Sequence, residues 1–266
     1  MITKLRYWGR RALLGRKDTD VRLTVASPLS QSHFSADSAW FASGIPEGQV
    51  GAGDSPSRLV QPKVFCIGFN KTGTTSLESA LTTLGYRFAP QQTFEVLLDD
   101  WLQRRFGRLI ELCRHADAFQ DVPFSLPFTY QALDLAFPGS KFVLTVRSDS
   151  EQWYQSITRF HAKLFGDGNV LSSAELRAAS YCYPGWLEKL VRGTYHTPEE
   201  DPYNRNLLIA AYERHNQSVI EYFAHRPMDL LILNVSEEGA MQKLAKFVGK
   251  PDPGRSFPWL NRTAES

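Results

Sequence analysis

The stretch "KVFCIGFNKTGTTSLESALTTLG", Lys63 to Gly85, decides the fold. Its apolar run up to Ile67 has the length of a buried strand and closes on Gly68. At its far end Leu77, Ala80, Leu81 and Leu84 stand at i, i+3, i+4 and i+7, the spacing of a helix that buries one face, and Gly85 stops it. Between them lies a loop with two glycines, a lysine and four hydroxyl residues. Gly68 lets the chain turn sharply out of the strand, and Gly73 lets backbone amides approach an anion with no Cβ in the way. The helix N-terminus beyond supplies amides and the positive end of a dipole. Thr74, Thr75 and Ser76 add hydroxyl donors. This is a phosphate cradle; an ordinary strand-to-helix turn capped by Thr and Ser has no need of a lysine there.

The lysine is displaced from its usual place. A nucleoside-triphosphate loop reads G-x-x-x-x-G-K-[ST]. Gly68 and Gly73 keep that spacing, but Thr74 occupies the lysine position and the nearby lysine is Lys71, two residues before Gly73. A small-molecule kinase or another P-loop nucleotide enzyme therefore remains an alternative. In that alternative Thr75 and Asp121 would hold a metal ion.

Outward from the loop, strands and helices alternate. "YRFAP" reads as a second strand, and Thr93 to His115 as one long helical stretch. "AFQDV" is a weak strand ending at Asp121. "FTYQALDLAF" is a helix ended by Pro138-Gly139, "KFVLTV" the clearest strand, and "SEQWYQSITRFHAKLF" the helix after it. Two helical regions fill 172–225. "LLILNV" reads as another buried strand, and a helix carrying Met241, Leu244, Ala245 and Val248 follows it. This pattern predicts an α/β fold, a P-loop-type parallel sheet flanked by helices on both faces. Ligands in such sheets bind at the carboxyl ends of the strands. The loop at 68–76, Asp121 and Arg147 each follow a predicted strand.

The chain has 266 residues, 42% of them hydrophobic and 12% aromatic, enough for one substantial core. A net charge of +2 argues against a nucleic-acid partner. Cys66, Cys113 and Cys182 are too far apart for a disulfide framework or metal-ligand pairs, which points to a reducing, cytoplasmic setting. No apolar run approaches the roughly 20 residues of a membrane span. Residues 1–60 read as a loosely ordered arm and 61–266 as the folded domain. The arm carries six cations before its first acid, Asp18, and a Ser/Gly/Pro-rich segment at 26–58 that Trp40 and Phe41 would pin to the domain. Ile2, Leu5, Trp8, Ala12 and Leu13 would gather on one face of a basic helix. Residues 1–17 are thus a candidate for peripheral membrane contact, against the alternative of a frayed, solvated terminus.

"NKTGTTSL" resembles the 5′-phosphosulfate loop of sulfotransferases, which use 3′-phosphoadenosine 5′-phosphosulfate (PAPS) as sulfuryl donor. Lys71, Thr72, Gly73, Thr74, Thr75 and Ser76 match that loop one by one. The resemblance implies that Lys71 reaches the oxygen bridging sulfur and the 5′-phosphate, while the loop amides and hydroxyls hold the phosphate. It fits the displaced lysine: charge develops mainly on the leaving phosphate oxygen, where one cation and preorganised amides serve without a metal. A second anchor, for the 3′-phosphate, is implied at Arg147 and at a serine eight residues on. Gln155 stands there, so Ser156 takes the role if the turn carries a one-residue insertion; Ser148 and Ser150 compete with it. Taken alone, Arg147 reads equally as a surface ion pair with Asp149 or Glu151.

The resemblance extends from about Lys63 to Asn261, to the subgroup of sulfotransferase-like P-loop proteins with D-x-P and V-R-x…W-Y-x-S motifs. It places Asp121, in "QDVP", where the acceptor base stands; a turn cap ahead of Pro123 is the plain alternative. His115, His161 and His215 fall in helical stretches and read as structural or surface residues, though the side chain alone keeps each as an alternative base. The acceptor would be a hydroxyl or amine of a glycan, glycolipid or small molecule, held by parts of 93–116 and 160–203. Trp101, Phe106, Tyr181, Tyr183 and Trp186 there read as core before cleft. A fold that has lost activity and kept binding is the remaining alternative.

Overall fold

The computed structural model describes residues 61–258. The calls on the arm at 1–60, including the basic helix and the pins Trp40 and Phe41, lie outside the described residues, as do residues 259–266. Four parallel strands form one sheet in the order β2-β1-β3-β4: β1 (Val64–Cys66), β2 (Ala118–Phe119), β3 (Lys141–Thr145) and β4 (Leu230–Leu233). Among the described residues ten helices surround these four strands: α1 (Thr74–Thr83), α2 (Gln92–Glu95), α3 (Leu98–Leu102), α4 (Gly107–Leu112), α5 (Thr129–Ala136), α6 (Ser150–Phe165), α7 (Ser173–Ala178), α8 (Trp186–Tyr195), α9 (Arg205–Tyr222) and α10 (Ala240–Phe247). The expected α/β class and parallel sheet are present.

Alternation of side chains sorts the core onto the two sheet faces. Val64, Cys66, Val143 and Leu233 meet Leu77, Ala80 and Leu81 of α1 and Met241, Leu244 and Ala245 of α10. Phe65, Ile67, Phe119, Phe142 and Leu144 meet Tyr130 and Leu133 of α5 and Val219 of α9. A third cluster, built around Trp101, Trp153, Trp186 and Tyr212, joins α3, α6, α8 and α9. Trp101, Tyr181 and Trp186 are buried in it, as their core reading anticipated.

Several expected elements change. "YRFAP" contributes a single bridge, Phe88 to Ala118, and no ladder; Pro90 follows at once and has no N–H to give. The long helix at 93–115 is broken into α2, α3, α4 and a 3-10 turn at Cys113–His115. The break after α3 comes where Arg104 turns left-handed, φ 58°. The region 172–225 holds three helices instead of two. β4 is not buried on both sides: it ends the sheet and leaves Ile232 46% exposed.

Chain order places a topological switch at the centre of the sheet. The chain leaves β1 for β2 on one side and returns to β3 on the other. β1 and β3 pair in register, Cys66 opposite Val143, so the segments leaving both strands emerge side by side. A crevice for ligands is expected at such a point.

Candidate functional site

Two glycines shape the loop between β1 and α1 because no other residue fits. A Cβ at Gly68 would collide with the Thr145 backbone carbonyl, so the loop can lie against β3 only through a glycine. Gly73 sits at φ 104°, and a Cβ there would strike the Val235 side chain. Thr72 closes the loop from within. It is fully buried, and its hydroxyl donates to Phe69 O at 2.6 Å and pairs with Thr145 Oγ1 at 2.5 Å. Its N–H also goes to Phe69 O, at 3.3 Å. Thr72 was expected among the ligand-binding residues; its N–H and hydroxyl are engaged within the loop and with Thr145 of β3.

Thr74, Thr75 and Ser76 form the first turn of α1. The helix's first internal bond runs from Leu77 N to Gly73 O, 3.0 Å, so the Thr74 and Thr75 amides precede the ladder. That turn contains no acidic residue. Thr74 and Ser76 are buried and Thr75 is half-buried.

Lys71 and Arg147 are brought together. Lys71 takes a left-handed backbone, φ 71°, and Arg147 Nε donates to its carbonyl at 2.6 Å. The ammonium of Lys71 lies 3.7 Å from the centroid of the Phe160 ring. The Lys71 pKa is lowered to about 8, by burial first and the Arg147 charge second, with the Asp121 charge opposing both. Burial lowers Arg147 as well. No described acceptor meets the two terminal nitrogens of its guanidinium. The ion pair with Asp149 or Glu151 does not form: Asp149 caps α6 by accepting from Gln152 N at 2.6 Å, and Glu151 pairs with Arg205. The Arg147 N–H donates to the Tyr212 hydroxyl at 3.0 Å. Trp153, stacked on Tyr212, donates from Nε1 to Asn70 O at 3.0 Å.

Along α6, Gln155 is exposed and bonded to Glu151, whereas Ser156 is 7% exposed. Ser156 lies one turn before Phe160, on the face that meets Lys71. Its competitors are engaged elsewhere: Ser150 Oγ donates to Glu213 Oε1 at 2.7 Å, and Ser148 Oγ accepts from Asn234 Nδ2 at 3.3 Å.

Asp121 follows β2 with φ 67°. Its Oδ1 accepts from Val122 N at 3.0 Å and its Oδ2 from Gln91 Nε2 at 3.1 Å. Its charge is felt by Lys71. His161 and His215 are interior and neutral. His161 Nδ1 pairs with the Tyr203 hydroxyl at 2.7 Å; burial, aided by Lys71, lowers its pKa to about 3. His215 Nε2 donates to Ile67 O at 2.9 Å, and burial holds it at about 4. His115 is exposed.

A family model for a sulfotransferase domain matches residues 63–266. The chain belongs to the sulfotransferase domain family. Its activity, in general terms, is that of a sulfotransferase. A search among curated proteins gives no match. Among the described residues no group of three or more His, Cys, Asp or Glu side chains could hold a metal ion, and no helix is long and apolar enough to cross a membrane.

Sequence reasoning missed the supports of this candidate site: Phe160 under Lys71, Tyr212 behind Arg147, and the buried Glu95 near Asp121. Only Glu95 left a signal, an acid inside the apolar run "TFEVLL".

The Gly73 contact is testable. Gly73→Ala should cost more than about 1 kcal/mol through its left-handed backbone alone. Because its Cβ meets Val235, a double-mutant cycle with Val235→Ala, read by urea unfolding, should give a favourable coupling of about 0.5 kcal/mol or more. Additive effects would contradict the contact.

Proposed function

We propose that this sulfotransferase takes its sulfuryl group from PAPS and passes it to a hydroxyl or amine. One observation carries the reading: Arg147 and Lys71 are joined by a hydrogen bond, half-buried, with no described acid paired to either. Two cations held this way disfavour each other's charge. An anion with two separated phosphate groups would relieve both.

In this reading the amides at the start of α1 and the hydroxyls of Thr74, Thr75 and Ser76 hold the 5′-phosphate. Arg147 and Ser156 hold the 3′-phosphate; a guanidinium fork suits that group. Gly73 gives the phosphate close approach, and Thr72 contributes the loop's shape. The acceptor oxygen or nitrogen attacks sulfur as the bond from sulfur to the 5′-phosphate oxygen breaks. Asp121 takes the acceptor's proton, and Lys71 stabilises the charge left on the phosphate oxygen. No step asks for a metal.

Lys71→Ala should lower the rate of sulfuryl transfer from PAPS to water by roughly 10²- to 10³-fold, with a smaller change in donor affinity. Undiminished turnover in the folded variant would contradict Lys71's role. Adenosine 3′,5′-bisphosphate at a hundredfold excess over its Kd should stabilise the wild type by about 2.7 kcal/mol in thermal unfolding. ATP with Mg²⁺ should do less; the opposite order would favour a nucleotide kinase. Arg147→Ala should weaken adenosine 3′,5′-bisphosphate by about 1.5–3 kcal/mol and leave adenosine 5′-phosphosulfate nearly unaffected. Equal losses would make Arg147 structural.

A further inference from the structure

Behind Asp121 lies a buried cluster that the reaction above leaves unused. Glu95 points from α2 into the interior and is 1% exposed. The Tyr181 hydroxyl lies 2.8 Å from each of its carboxyl oxygens. Gln91 Nε2 donates to Glu95 Oε1 at 2.6 Å and to Asp121 Oδ2 at 3.1 Å, so one amide bridges the two carboxyl groups. Gln91 is itself fixed, its Oε1 accepting from Gln120 Nε2 at 3.3 Å, and Gln120 also reaches Glu78 Oε2 at 3.0 Å.

The groups facing Glu95 come from three places. Gln91 precedes it on its own segment, Asp121 faces it from beyond β2, and Tyr181 and Cys182 face it from the stretch before α8; Cys182 Sγ lies 3.8 Å from Oε2. Trp186 Nε1 anchors the Glu95 carbonyl at 2.9 Å. Among the described residues no cation pairs with it. A carboxyl buried without a cation is costly, and its desolvation favours the protonated form. A costly group wired to a site residue is a candidate for function.

We propose that Glu95 is a positioning residue for Asp121: through the shared Gln91 amide it fixes the Asp121 carboxylate, and through its own negative charge it makes Asp121 a better proton acceptor. The proposal rests on the reading of Asp121 as acceptor base. An ionised Glu95 disfavours a second negative charge close by, so Asp121 holds a proton more tightly. A stronger base takes the acceptor's proton further in the transition state.

The pH dependence follows. The Glu95 pKa is raised to about 7, by burial first and the Asp121 charge second, while Tyr181, Gln91 and Cys182 hold it down. Below that value Glu95 is neutral and its assistance disappears; above it, the assistance is present. On the alkaline side Lys71 loses its proton near pH 8.

The test uses PAPS with water as acceptor. The water oxygen bonds to sulfur, the bond to the 5′-phosphate breaks with its electron pair going to the phosphate, and a water proton goes to Asp121. Release of adenosine 3′,5′-bisphosphate then reads kcat/KM across both titrations. In the wild type it should rise several-fold as pH passes about 7 and fall beyond about 8. Glu95→Gln should lose the acid limb and stay near the wild type's low-pH rate. Tyr181→Phe, which removes a contact that holds the Glu95 pKa down, should move that limb to higher pH. In the infrared, a protonated-carboxyl stretch should vanish as the wild type is brought through about pH 7 and be absent from Glu95→Gln.

An unchanged acid limb in Glu95→Gln, an unmoved limb in Tyr181→Phe, or no such infrared band in the wild type would overturn the proposal. If Glu95→Gln does not fold, Tyr181→Phe and the infrared titration still decide. Failure of the donor reading shows separately, as absence of adenosine 3′,5′-bisphosphate binding to the wild type.

Discussion

The hydrogen bond from Arg147 Nε to the Lys71 carbonyl is the contact on which the site depends. It joins a cation that follows β3 to a loop that follows β1. It can form only because those strands are neighbours in register at the sheet's switch point. Gly68 pressed against Thr145, and Thr72 bonded to the Thr145 hydroxyl, bring the loop that close. The result is two cations held side by side, a local concentration of positive charge that burial makes unfavourable until an anion enters. In this account the sheet supplies the relative placement of the charges, and the helix N-terminus supplies the amides between them.

The aromatic cluster over the strand ends keeps that arrangement rigid. Trp153 and Tyr212 stack with centroids 4.6 Å apart, and each gives its polar end to the site's backbone: the indole to Asn70, the hydroxyl to Arg147. His215 stacks on Phe69 and bonds Ile67, fixing the exit of β1. The packed rings and these three hydrogen bonds to backbone are what hold a constellation near its working geometry. The proposed base lies at the edge of the same assembly, beside the buried Glu95 and Gln91. Its setting combines a nearby lysine with a second carboxyl group, two influences of opposite sign on its proton.

Much of the fold could be read from the chain because its signals are local. The apolar run into Gly68, the helical spacing from Leu77 to Leu84 and the run ending at Thr145 each encode their own element. The loop's signal was equally local, and the structure joins Arg147 to Lys71 by a hydrogen bond. Other features depended on tertiary packing. Nothing in "LLILNV" says that β4 has a neighbour on one side only. Arg104 carries no local mark of the left-handed turn that breaks the 93–115 helix. The loop hydroxyls look alike in sequence, yet Thr72 faces inward while Thr75 faces out, because the register of the turn decides which is spent on the backbone. Ser156 was preferable to Gln155 only by assuming one inserted residue; the helix turns Gln155 to solvent and Ser156 inward.

The central claim is that Lys71 and Arg147 form one anion site whose mutual repulsion the ligand relieves. Proton linkage measures this directly. Lys71 has a pKa of about 8 in the free protein, so near that pH a good share of the molecules carry it neutral. An anion bound beside it must raise its pKa, and binding must then take up a proton. Calorimetric titration of adenosine 3′,5′-bisphosphate near pH 8, in buffers of different ionisation enthalpy, gives the number of protons taken up. The account predicts an uptake approaching half a proton per site, lost in Lys71→Met. Binding of the bisphosphate with no proton uptake, or with the same uptake in Lys71→Met, would contradict it.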